Sequence, residues 1–143
     1  MKRWMAVVAL LLLTSCREVR VQTLAVGTTT EPGGNQIVIV RDQATLARLG
    51  IKAPARFKSE FGVVLLMGPH NRSGYRQVIE SIRATDQSVR VVAFEQSPAD
   101  GGAPAADYRT YTLWIVPNSV YRRGIHVDVV TPGDDPIAET VLP

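Results

Sequence analysis

The chain begins with one long apolar run, Trp4–Leu13, and then settles into shorter apolar segments separated by turn residues. Gln36–Val40 (QIVIV) and Phe61–Met67 (FGVVLLM) are continuous apolar runs of the length expected for buried strands. Tyr75–Ala84 and Ser88–Gln96 flank Thr85-Asp86-Gln87, which predicts a hairpin. In its second arm Arg90 opposes Val89 and Val91 but shares a face with Val92 and Phe94, a pattern that a sheet packed on both sides would explain. Tyr108–Val116 reads as a strand stopped by Pro117-Asn118. Ile125–Thr131 alternates, with Ile125, Val127 and Val129 on one face and His126 and Asp128 on the other. Asp42 is placed to cap a short helix carrying Ala44, Leu46, Ala47 and Leu49, with Gly50 as its stop. Between these elements, Val19–Val26 is β-prone and serves equally as strand or tether. Gly27–Asn35 is turn-rich, Pro54–Lys58 is a connector, and Ser97–Asp107 is a loop of small residues. The proline-containing acidic tail from Pro132 is expected to fray or lie along the surface. Short strands, one modest helix and no crossover helices predict a mainly β protein: a small antiparallel β-sandwich or half-open barrel with one short helix.

The opening run changes the picture of where the fold starts. Lys2 and Arg3 precede it, and Thr14, Ser15 and Cys16 follow, the three-part pattern of a secretory signal peptide. The run falls short of the roughly 20 apolar residues that a membrane-spanning helix requires. Leu13-Thr14-Ser15-Cys16 resembles the lipobox of bacterial lipoproteins. The resemblance implies diacylglycerol on the Cys16 thiol, cleavage between Ser15 and Cys16, and acylation of the new amino group. Two or three acyl chains, at about 0.8 kcal/mol per buried CH₂, would anchor the protein stably to a membrane. Arg17 rather than aspartate follows the cysteine, which makes the outer membrane the default over the inner one. With Cys16 the only cysteine, no internal disulfide can form. The chain thus divides into residues 1–15 as signal peptide, 16–35 as lipidated cysteine and tether, 36–131 as the β domain, and 132–143 as a flexible tail.

Charge adds little. Losing Lys2 and Arg3 with the leader reduces 16 basic residues to 14 against 13 acidic ones, a formal net of +1 instead of +3. No basic cluster stands out, so a nucleic-acid partner is not expected.

The search for catalytic chemistry is mostly negative. Gly68–Gly74 (GPHNRSG) has the glycines of a phosphate cradle, but Tyr75-Arg76 follows where a P-loop needs Lys and Ser/Thr. It reads as a structured turn. His70 and His126 are the only histidines, and even with Asp128 at strand spacing they form no familiar ligand set, so neither a metal nor a cofactor is expected and both read as surface residues. Ser73 or Ser88 lacks a nucleophile-elbow pattern. Glu80 and Glu95 read as members of a solvated β-surface with Arg83 and Arg90 as partners. Trp114 is expected in the core, whereas Tyr121 beside Arg122-Arg123 is the better candidate for an exposed contact residue.

A family resemblance enters on Phe61 to about Val130. An apolar strand ends in Gly68, and Arg72-Ser73-Gly74-Tyr75 opens the next. A hairpin arm over Ser88–Glu95 follows, then a Pro/Gly loop over Pro98–Pro104, and finally the proline-terminated strand Leu113-Trp-Ile-Val-Pro117. This arrangement resembles the PrcB C-terminal domain of bacterial protease-complex subunits and small lipoproteins. Ser73 stands where that family has a second glycine, the loop before Tyr108 is longer, and the proline usual within the last strand is absent at Thr112-Leu113. The resemblance implies no catalytic residues and a binding role: a lipoprotein that associates with and supports a secreted protease. The expected motif or contact residues are Gly68, Arg72, Gly74, Tyr75, Tyr121 and Arg122, with recognition through the loops Gly68–Gly74 and Ser97–Asp107 or through a strand edge. The competing expectations are a cell-wall lipoprotein stacking Trp114 or Tyr121 on glycan rings, and a protease inhibitor.

Overall fold

The computed structural model describes residues 20–85 and 87–143, so the leader, Ser15 and Cys16 lie outside the described residues. In chain order the elements are β1 (Gln22–Thr29), β2 (Gln36–Val40), α1 (Gln43–Arg48), β3 (Glu60–Arg72), β4 (Arg76–Ala84), β5 (Ser88–Gln96), β6 (Pro104–Pro117), a 3₁₀ turn at Asn118–Val120, β7 (His126–Val130) and β8 (Pro136–Val141). They form two four-stranded sheets, β1-β6-β3-β2 and β4-β5-β7-β8, stacked as a sandwich with no closed barrel.

The apolar runs explain the layering. Along β3, Phe61, Val63, Leu65 and Met67 point between the sheets with Trp114 and Val116 of β6, where they meet Val89, Val91 and Ala93 of β5 and Val127 and Val129 of β7. The intervening residues Val64 and Leu66, with Leu113 and Ile115, point the other way and are covered by Leu46 of α1, Ile51 and Ala53. The central strands β3 and β6 are therefore buried on both faces over this stretch, and a strand in that position has to be apolar at nearly every residue. The helix is too short to be stable alone and is held by this packing. At its start Asp42 Oδ1 accepts the Thr45 N–H at 2.7 Å.

Several expectations are corrected. Residues 22–29, placed within a tether, form β1 and pair with β6 from Gln22↔Ile115 to Thr29↔Arg109, because β6 offers a free edge to a β-prone segment. The supposed flexible tail holds β8, which pairs antiparallel with β7. Leu142 just beyond it is 1% exposed. The tail's prolines misled because Pro136 stands at the first position of the strand, where it is tolerated. The sandwich is also not wholly antiparallel. β5 and β7 run parallel, since the chain leaves the second sheet, crosses the first as β6 and re-enters. Packing on both faces belongs to the first sheet and not to β5, whose Val92 and Phe94 are half-buried on the outer face of the second.

Candidate functional site

The two loops singled out from the sequence meet at one end of the sandwich. Beyond Met67, β3 does not turn. It continues through two irregularities until Arg72 pairs with Pro104 of β6, so most of the expected Gly68–Gly74 turn is the extended end of a strand. Gly68 donates its N–H to Asn35 Oδ1 at 3.1 Å. Arg72 donates Nε to the Gly101 carbonyl and Nη2 to the Gly102 carbonyl at 2.7 Å. The Ser73 N–H donates to the Ala103 carbonyl at 2.8 Å, and the Ala103 N–H returns a bond to Ser73 Oγ at 3.2 Å. Segments 72–74 and 98–103 thus clasp each other. Two glycines make the approach feasible. Gly74 has φ +98° and a Cβ there would sit 2.8 Å from Pro98 Cβ; at Gly102 (φ +69°) it would sit 2.1 Å from the Ser73 carbonyl oxygen. Both the backbone conformation and the space exclude an L side chain.

Beneath the clasp lies a half-buried aromatic and polar layer. The rings of His70 and Tyr75 stack with centroids 3.9 Å apart and planes 8° from parallel. Tyr108 Oη donates to the Arg72 carbonyl at 2.7 Å and accepts the Tyr75 N–H at 3.4 Å. His70 Nε2 lies 2.7 Å from Glu95 Oε2. Thr110 Oγ1 donates to the same Glu95 oxygen at 2.9 Å. Gln77 bridges the sheets: its Nε2 donates to the carbonyls of Leu65 at 3.1 Å and Thr110 at 3.0 Å, and its Oε1 accepts from Thr112 Oγ1 at 2.7 Å. The adjacent Arg109 is 2% exposed and donates Nε to the Glu31 carbonyl at 2.8 Å and Nη1 to that of Gly34 at 3.1 Å. Burial pushes its guanidinium pKa below the usual value, with the charge of Glu31 opposing the shift.

These polar groups are spent on one another, which makes them the frame of the site. Asn71, Arg72, Ser73, Gly74, Arg76 and Asp100 remain exposed at the tip. Of the residues expected to act together, the fold gathers Gly68, Arg72, Gly74 and Tyr75 but leaves Tyr121 and Arg122 at the opposite end, past the far terminus of β6. Tyr121 is not a free aromatic. Its ring meets Phe61 edge-on at 5.1 Å, its hydroxyl donates to the Pro143 carbonyl at 3.1 Å, and the Arg41 guanidinium covers it at 4.3 Å. Trp114 is 1% exposed and offers no face to a glycan ring.

Two readings of titratable residues are corrected. His70 is no surface residue, having a side chain only 14% exposed against Glu95. Glu95 faces the interior instead of a solvated surface. Arg90 pairs with Asp128 at 3.1 Å and Asp134 at 2.9 Å, while Arg83 stands directly opposite Arg90 in the register. The interior network was missed because its members are 12 to 35 residues apart. One signal did point to it: a hairpin centred on Thr85–Gln87 sets Gln77 opposite Glu95, two polar residues on one face. No family model, curated protein or solved structure matches the chain.

Proposed function

We propose that this chain is a lipid-anchored, non-enzymatic binding module. It is held to a membrane through Cys16, and it associates with and stabilises a partner protein in the envelope or outside the cell. The resemblance to the PrcB C-terminal domain makes a secreted protease the preferred partner. The observation that carries this reading is the clasp. Arg72, Ser73, Gly74 and Gly102 hold two exposed segments in one conformation. A surface ordered before binding does not lose that entropy on binding. It stands at the far end of β6 from the start of β1, with β6 spanning from Ile115 to Pro104, roughly 35 Å at about 3.3 Å per residue. The tip and Gln22 therefore stand at opposite ends of the sandwich.

Photo-crosslinking in the native host tests it. A crosslinking residue at Asn71 or Asp100 on the tip is expected to capture one envelope or secreted protein that a crosslinker at Glu139, on β8, does not. Capture of no protein at the tip, or of the same proteins from both positions, overturns the reading. If the captured partner is a protease, its activity with added domain separates support from inhibition, which predict opposite signs.

A further inference from the structure

We infer that the end of the sandwich at which β1 begins is a basic face docked on an anionic lipid surface. The inference builds on the anchoring reading above. Cys16 and Gln22 are separated by six Cα–Cα links of about 3.8 Å, so they stand at most about 23 Å apart whatever path that segment takes. That reach is shorter than β6 is long, and it keeps the start of β1 as the end nearest an anchoring bilayer.

Cations outnumber acids there. Gln22 pairs with Ile115, so the chain leaving β6, from Pro117 through the Asn118–Val120 turn to Arg123, lies at this end. Val21 packs against the same interior cluster as Phe61 and Val120. Arg41, leaving β2, is seated on Tyr121. Lys58 adjoins the turn, its carbonyl accepting from Asn118 Nδ2 at 3.3 Å. Arg20, Arg41, Lys58, Arg122 and Arg123 are all exposed. Among the described residues, none of them lies within ion-pair distance of a carboxylate. Two acids lie nearby, Asp42 at the helix cap and the half-buried Glu60, so the balance at this end is positive. The tip at the other end carries both signs, Arg72 and Arg76 with Glu31, Asp100 and Asp107. A chain of small net charge thus concentrates positive charge at the end its tether brings to the membrane. Basic side chains act on anionic headgroups only within about a Debye length, some 8 Å. A tether of at most about 23 Å lets the face come within that distance.

The test uses the processed protein purified from its native host and reconstituted into phosphatidylcholine vesicles with or without phosphatidylglycerol. Intact mass of the same sample reads lipid on Cys16, and hydrogen exchange reads the two ends. Residues 118–124 are expected to gain protection only on the phosphatidylglycerol vesicles and to lose it in high salt, while residues 68–74 do not change. In the double variant Arg122→Ala, Arg123→Ala the gain should fall by roughly fivefold per arginine. Both side chains are exposed, so folding is unaffected. Equal exchange on the two vesicle types, or protection of the tip instead, overturns the inference. A Cys16 thiol without lipid overturns the anchoring reading alone; flotation of that sample with anionic but not neutral vesicles would still support the face, and its absence would overturn it.

Discussion

At the scale of single residues, Gly101 and Gly102 separate two effects that are usually confounded. Both have positive φ, but a Cβ on Gly101 meets nothing within 4 Å, whereas one on Gly102 collides with the Ser73 carbonyl. Gly101→Ala should cost only the conformational penalty, about 1 kcal/mol. Gly102→Ala should cost about 3 kcal/mol or open the clasp. Denaturant midpoints of the two variants check this. Gln77→Ala removes the partner of Thr112 Oγ1 and a donor to two backbone carbonyls, and should destabilise by about 2–3 kcal/mol in the same assay. Asp42 behaves differently because its contribution titrates. The backbone N–H of Thr45, foremost, holds its folded pKa below the ordinary value. A carboxyl with a depressed folded pKa stabilises above its unfolded value, about 3.9, and loses that contribution as pH falls through the folded one. Asp42→Ala should therefore lower the midpoint at neutral pH and approach wild type in acid.

At the scale of elements, β8 is the informative strand. It covers the free edge of β7, and behind it Leu142 enters the core, its N–H donating to the Ile125 carbonyl at 2.8 Å. Leu142→Ala should cost about 2–5 kcal/mol, the range for a large-to-small change in a packed interior. A truly flexible tail would tolerate the change, so a midpoint within error of wild type would refute the packing. The segment was misread because acidic residues and prolines dominate its first half. Local propensity could not register that Ile137, Ala138 and Leu142 complete a surface made elsewhere. β1 was left open between strand and tether for a related reason: its exposed residues carry no alternation, and its place is decided by the backbone groups of β6.

At the scale of the whole molecule, one apolar cluster takes residues from both sheets, including Trp114 from the first and Val91 and Val127 from the second. Separating the sheets would expose that cluster and leave the first sheet only its layer beneath α1. Unfolding should be a single cooperative event, with Trp fluorescence and far-ultraviolet circular dichroism giving coincident transitions. The clasp and Tyr121 stand at opposite ends of the strands that this cluster holds together.

The sequence by itself determined the class of fold, because unbroken apolar runs such as Phe61–Met67 must be covered on both sides and Thr85–Gln87 admits only a tight reversal. It also singled out Gly74 as a position suited to positive φ, a local backbone requirement that the structure meets at +98°. Only the tertiary structure decided the parallel pairing of β5 with β7, the burial of Arg109, the His70–Glu95–Thr110–Gln77 network and the seating of Arg41 on Tyr121. Each joins residues distant in the chain, and a local pattern carries no record of which distant group will satisfy a hydrogen bond or share a surface.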